Sequence, residues 1–188
     1  MKVTLVTVIA VLMMIGAAHA QPVNIGIKGG LNVFNIKGDN DESFDPRTSF
    51  HLGLLGHIHL AEDFALQPEV VYSSQGAKYG DDLKLQLDYI NIPILFQYMF
   101  DNGFRLQAGP QAGILVGAKA DGEDVKDGFE TLDLGLGIGA SYVNPATSFG
   151  VDVRYNLGLS NINDNDDVDS FNRGFQLGVF YLFRHRSN

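Results

Sequence analysis

The sequence predicts an all-β fold, an eight-stranded antiparallel up-and-down transmembrane β-barrel. Three observations predict it. Apolar and polar side chains alternate with period two through eight segments, the pattern of strands whose successive side chains point to opposite faces. A secretion-type leader stands ahead of these segments. The links between them alternate between tight and long, as the turns and loops of a membrane barrel do.

Residues 1–20, MKVTLVTVIAVLMMIGAAHA, set Lys2 before an apolar run from Val3 to Ile15 and end on Ala18-His19-Ala20. This is the layout of a secretory signal peptide, with cleavage expected before Gln21. Residues 21–188 then form one outer membrane β-barrel domain. The chain has no Cys, which excludes a lipid-anchored lipoprotein, disulfides and thiolate metal sites. Without Lys2 the 13 basic residues become 12, against 22 acidic ones, a formal charge of −10. That balance argues against nucleic acid as a partner.

The first segment sets Val23, Ile25, Ile27, Leu31 and Val33 against Asn24, Lys28 and Asn32. The second sets Phe50, Leu52, Leu54, Ile58 and Leu60 against His51, Leu55, His57 and His59. In the third, Phe64, Leu66, Val70 and Tyr72 oppose Gln67, Glu69, Ser73 and Gln75. The fourth, LDYINIPILFQYMF at 87–100, places Ile90, Ile92, Ile94, Phe96, Tyr98 and Phe100 on one face and Asn91, Pro93, Leu95, Gln97 and Met99 on the other. Its eleven residues from Ile90 match the roughly 9–11 that a tilted strand needs to cross the hydrocarbon core. The fifth pairs Phe104, Leu106, Ile114 and Val116 with Arg105, Gln107 and Gln111. The sixth pairs Leu132, Leu134, Leu136, Ile138 and Tyr142 with Asp133, Ser141 and a row of glycines. The seventh runs Phe149, Val151, Val153 and Tyr155 against Asp152, Arg154 and Asn156, and the eighth Phe175, Leu177, Val179, Tyr181 and Phe183 against Gln176 and Phe180. Glycine weakens an open strand but fits a cramped interior, so the polar faces are read as the lumen.

Tight links fall near residues 62–63, 101–102 and 144–147, and long polar ones at 37–48, 76–82, 119–128 and 160–173. Both termini are therefore expected in the periplasm, with the long loops outside. Backbone groups in lipid must be paired internally, so strand eight should close on strand one. Aromatic girdles are expected at Phe64, Phe100, Phe104, Tyr142, Phe149 and Phe183 on one side, and at Tyr72, Tyr89, Phe129 and Phe175 on the other. Pro68, Pro93 and Pro110 are read as bulge sites. The apolar phase shifts from Leu83, Leu85 and Leu87 to Ile90, so a bulge is also expected near Tyr89.

LDYINIPILFQYMF, the Gly-rich strands around it and the last strand ending on Phe183 together resemble the outer membrane β-barrel family common in Bacteroidetes, which includes PorT-like proteins usually labelled porin family. The resemblance spans the whole mature chain; its most specific piece is the Tyr-Ile-Asn-Ile-Pro strand, Tyr89 to Pro93. It implies an outer membrane location and, by analogy with PorT, an accessory role in secretion or envelope assembly. The barrel assembly machinery reads a terminal aromatic such as Phe183, here followed by residues 184–188.

Three inward cations, Lys28, Arg105 and Arg154, face three inward acids, Glu69, Asp133 and Asp152. Buried charges must be paired, so an interior charge network is expected. An eight-stranded barrel is just wide enough for its side chains, which argues against a pore. His51, His57 and His59 share a face, but no third metal ligand follows from spacing, and polar packing is the expectation. Acidic loops at Asp39, Asp41, Glu42 and Asp45, at Asp121, Glu123, Asp124 and Asp127, and at Asp164, Asp166, Asp167 and Asp169 face outward. In NDNDDVDS the EF-hand pattern fails at Asp169 and Phe175, which leaves Asp164, Asp166 and Asp167 as loose Ca²⁺ candidates bridging to lipopolysaccharide. No cofactor is implied. The expected function is non-enzymatic, structural or interactive through the acidic loops, in contact with outer membrane lipid, lipopolysaccharide and a protein partner still to be named. A secretion accessory is the alternative. A lipid-modifying enzyme is the third reading, and it lacks a visible nucleophile and base.

Overall fold

The computed structural model describes residues 23–38, 45–79, 83–164 and 169–183. The expected signal peptide, Asp39, Asp41, Glu42, Asp166, Asp167 and the tail 184–188 lie outside the described residues. Eight long strands run in chain order: β1 (Val23–Gly38), β2 (Asp45–His59), β3 (Phe64–Tyr79), β4 (Leu83–Met99), β5 (Phe104–Ala120), β6 (Leu132–Val143), β7 (Phe149–Gly158) and β8 (Ser170–Phe183). Each pairs antiparallel with its sequence neighbours. β8 closes the sheet on β1, from Ile25↔Phe183 to Gly38↔Ser170. A two-residue strand, Glu123–Asp124, folds back on the end of β5.

Residues 60–63, 100–103 and 144–148 make tight turns at one end of the barrel, the turn end. The remaining connections gather at the other, the loop end. The second of these is shorter than expected: β3 and β4 stay paired out to Tyr79↔Leu83, leaving only 80–82 between them.

On β1, Ile25 (57% exposed), Ile27, Leu31 and Val33 form part of an apolar belt, while Lys28 and Asn32 are buried. Beyond Val33 the faces exchange character. Phe34 and Ile36 are buried, and Asn35 and Lys37 take the outer positions. β4 repeats this. Ile92, Ile94, Phe96 and Tyr98 alternate with buried Asn91, Pro93, Leu95 and Gln97, but past Ile90 the buried residues are Tyr89, Leu87 and Leu85, against outward Asp88, Gln86 and Lys84. A sheet that meets water buries its apolar face, and one that meets lipid does the reverse. One continuous wall thus passes from one arrangement to the other.

The bulge expected near Tyr89 is present in the β4–β5 ladder, though not in β4 itself. β4 keeps its side-chain phase while polarity changes faces. A register shift does lie there, but on the partner strand: Asp88↔Gly117 is followed by Tyr89↔Leu115, so the extra residue is Val116 of β5. Leu115 and Ala118 are consequently both buried. The prolines are not bulge sites. Pro68↔Ile94 and Val71↔Asn91 share one register, and Pro110↔Leu136 lies in an unbroken run. Each proline lacks one ladder donor and leaves the register unchanged.

The loop end is closed by an apolar cluster of Ile36, Ala77, Leu85, Leu87, Tyr89, Leu115, Ala118 and Ile162, with Val125 and Phe129 packed against it. Two loops meet over it: Phe129 bridges to Asn163, and Glu130 N–H donates to the Ile162 carbonyl at 2.9 Å. A smaller cluster, Leu55, Val143, Phe180 and Leu182, packs inside the barrel near the turn end. The turn-end girdle forms as a chain of rings, Phe64–Tyr98, Tyr98–Phe100, Phe100–Phe104, Phe149–Tyr181 and Tyr181–Phe183, with centroids 4.8–5.6 Å apart. The opposite girdle holds Tyr72 and Phe175 against Phe50 and Tyr155. Tyr89 and Phe129 are not part of it, because they belong to the closing cluster.

Candidate functional site: the layered lumen

Between the two apolar clusters polar side chains dominate the lumen, with Val71 and Leu95 among them. At its centre, alternation on three strands brings Lys28 of β1, Glu69 of β3, and Asp152 and Arg154 of β7 together. Arg154 holds Glu69 with two hydrogen bonds, Nη2 to Oε1 at 2.7 Å and Nη1 to Oε2 at 3.0 Å. Lys28 Nζ donates to Glu69 Oε2 at 3.3 Å and to Asp152 Oδ2 at 3.2 Å. Gln67 Nε2 adds a further bond to Glu69 Oε1 at 2.7 Å. All four charged side chains are within 3% of complete burial. Two charges of each sign cancel, and the fork geometry recovers much of what desolvation costs. Gly137 lies close by: a Cβ there would stand 3.1 Å from Arg154 Cδ, so the arginine would have to give by a few tenths of an ångström.

The six charges expected to form one network therefore do not. Lys28, Glu69, Asp152 and Arg154 meet; Arg105 and Asp133 do not join them. Asp133 lies toward the loop end, where its Oδ1 accepts from Ser160 Oγ at 3.2 Å and its Oδ2 from Asn172 Nδ2 at 3.0 Å. Arg105 lies toward the turn end, with Nη1 3.4 Å from His57 Nδ1. Alternation tells which side of the wall a residue faces. Only the register tells how far along the barrel it sits.

A second layer centres on Asn32, which alternation marked as inward without marking its reach. Its Nδ2 contacts the Phe50 carbonyl, Ser73 Oγ and the Ser74 carbonyl at 2.8–3.0 Å. Its Oδ1 accepts from Gln176 Nε2 at 3.1 Å and lies 2.9 Å from His51 Nδ1. A carbonyl oxygen there assigns the proton of His51 to Nδ1.

The three histidines of β2 do not converge. His51 belongs to the Asn32 layer, His57 is buried beside Arg105, and His59 is exposed at the turn end with its ring edge-on to His57 at 4.6 Å. His59 is thus a mouth residue and not a lumen one. Among the described residues no three His, Asp or Glu side chains stand close enough to hold a metal. Of the Ca²⁺ candidates only Asp164 is described; it is exposed, and its N–H donates to the Gly128 carbonyl at 3.3 Å. Other loop acids hold backbone: Asp121 Oδ1 accepts from the Lys84 N–H at the start of β4, and Asp124 Oδ1 from the Lys126 N–H in its own turn.

The model of a family described as outer membrane protein β-barrel domain matches residues 19–164. Among curated proteins none matches the chain. Solved structures that share its fold include the following two. Neisserial surface protein A (NspA) is 14% identical, with a TM-score of 0.60 over 86% of this chain and 99% of that one. Ail, the attachment invasion locus protein of Yersinia pestis, is 16% identical, with a TM-score of 0.54 over 85% of this chain and 98% of that one.

Proposed function

The chain belongs to the outer membrane protein β-barrel domain family, and from that premise we propose that it is a non-conducting, non-catalytic barrel that holds an interaction platform above the outer membrane. The termini and turn end face the periplasm; the loop end faces outward, with lipid around the belt and lipopolysaccharide headgroups around the projecting wall. The observation that carries this reading is the exchange of faces at Val33/Phe34 and Tyr89/Ile90. Strands that continue past the apolar belt with an apolar interior, closed by Ile162, build a rigid body where only loops are needed to finish a barrel. A body of that kind is suited to presenting Asp121, Glu123, Asp124 and Asp127 to a partner.

The absence of Cys makes a labelling experiment clean. Single cysteines at Asp124 and Asp164 should react with a membrane-impermeant maleimide on intact cells, and one at Ala146 only after lysis. The reverse pattern would refute the orientation. In planar bilayers the folded chain should give no unitary conductance; discrete steps would refute the closed lumen. A protein that co-purifies in mild detergent only when the loop acids are intact would identify the partner, and a secretion component in that position would make the PorT-like role the specific form of this function.

A further inference from the structure

Arg105 is a buried guanidinium, 9% exposed, and among the described residues no carboxylate stands within ion-pair distance of it. Asp133, the interior acid left outside the central group, sits in register with Gly113, eight residues further along β5. At about 3.3 Å per residue that is roughly 26 Å, too far to neutralise it. Asp152 is nearer, but its Oδ2 is held by Lys28, and its Oδ1 points over Gly178 toward His51: a Cβ there would meet them at 2.5 Å and 3.2 Å.

Two side chains beside Arg105 on the inner face carry unpartnered hydrogen-bonding groups. Glu69, an acceptor only, fixes Gln67 Nε2 as a donor. Gln67 Oε1 then accepts from Gln97 Nε2 at 2.9 Å, and Gln97 Nε2 also donates to Gln107 Oε1 at 2.9 Å. The relay ends with Gln107 Nε2 buried and unpartnered, two residues from Arg105 on the same face. Ser141, the cross-strand partner of Arg105, carries an unpartnered buried Oγ. Arginine does not give up its proton, so His57 Nδ1 accepts from Nη1 and holds the fork in place. Two unpartnered buried acceptors lie nearby: Gln97 Oε1, beside His57, and Asp152 Oδ1, whose residue pairs with Ser141 in the sheet.

We propose that Arg105, Gln107 and Ser141 bind a small oxyanion of the phosphate class at the turn end of the lumen. The guanidinium fork supplies the charge and two parallel donors, a geometry suited to tetrahedral or planar oxyanions, and the amide and hydroxyl supply one donor each. His57 is a positioning residue.

The test melts the full chain, refolded in detergent, in sodium phosphate and in sodium gluconate at matched ionic strength and pH. Wild type should melt about 3–5 °C higher once phosphate exceeds its dissociation constant roughly tenfold, with broadening of the phosphate ³¹P resonance. Arg105→Gln should remove both effects and, freed of an uncompensated buried cation, melt in gluconate no lower than wild type. Gln107→Leu and Ser141→Ala, which keep the cation, should each weaken the phosphate shift, so the site stays testable if Arg105→Gln does not fold. No phosphate shift in wild type, or the same shift in Arg105→Gln, would overturn the assignment.

Discussion

Tyr89 and Ile90 are adjacent on β4 and point to opposite sides of the wall: Tyr89 is fully buried, its ring in the apolar cluster and its hydroxyl accepting from Asn172 Nδ2 at 3.4 Å, and Ile90 is the last apolar residue of the outer belt before Asp88. The hydrophobic effect stabilises the wall on both sides of this pair, but through opposite faces. Four consequences can be measured.

Leu87 is fully buried beyond the belt. Leu87→Ala should cost ~2–5 kcal/mol, as in the core of a soluble protein. Gln86→Ala, on the polar face beside it, loses bonds with Arg47 and Asp88 and should cost only about 0.5–1.5 kcal/mol. Urea unfolding in lipid vesicles measures both, and equal costs would mean that the faces do not exchange.

Val179 is 61% exposed in the middle of the β8 belt. An arginine there should destabilise by about 2–4 kcal/mol, the cost of a cation facing the bilayer midplane. Thr48→Arg, exposed at the outer edge of the belt opposite Val33, should cost no more than about 1 kcal/mol. The same unfolding assay reports the contrast, and a tolerated Val179→Arg would take the belt out of lipid.

Glu69 accepts from Lys28, Arg154 and Gln67. Glu69→Gln leaves a buried excess of positive charge and should cost about 3–5 kcal/mol. Combined with Lys28→Met the centre is neutral again, so the double variant should be more stable than Glu69→Gln alone. A double-mutant cycle with no coupling would show that the two charges do not share one site.

Ile162 pins the loop over the barrel mouth. Ile162→Asp should leave heat-dependent gel mobility intact while making residues 121–131 cleavable by protease on the folded protein. Unchanged protease resistance would place the seal elsewhere.

Much of the fold was readable from alternation, since a period of two assigns each residue to a face. Lys28, Glu69, Arg105, Asp133, Asp152 and Arg154 are all buried on the inner face, where alternation places them. Distance along the barrel was not readable, because it depends on the register between strands; hence Arg105 and Asp133 were joined to a group that neither reaches. The swap at Tyr89/Ile90 misled for a related reason. A change in which face is apolar looks like a change of phase if only one solvent is assumed. The prolines misled because a lost ladder bond and a shifted ladder leave the same mark in sequence. The clamp formed by Asn32 and the relay through Gln67, Gln97 and Gln107 had no signal beyond their inward parity.

β4 crosses from belt to platform with no break in its phase, and this has a mechanical meaning. A wall without a hinge transmits torque. A partner that pulls sideways on the loop end tilts the whole cylinder against the bilayer, and the restoring stiffness comes from the surrounding lipid, not from bending of the strand.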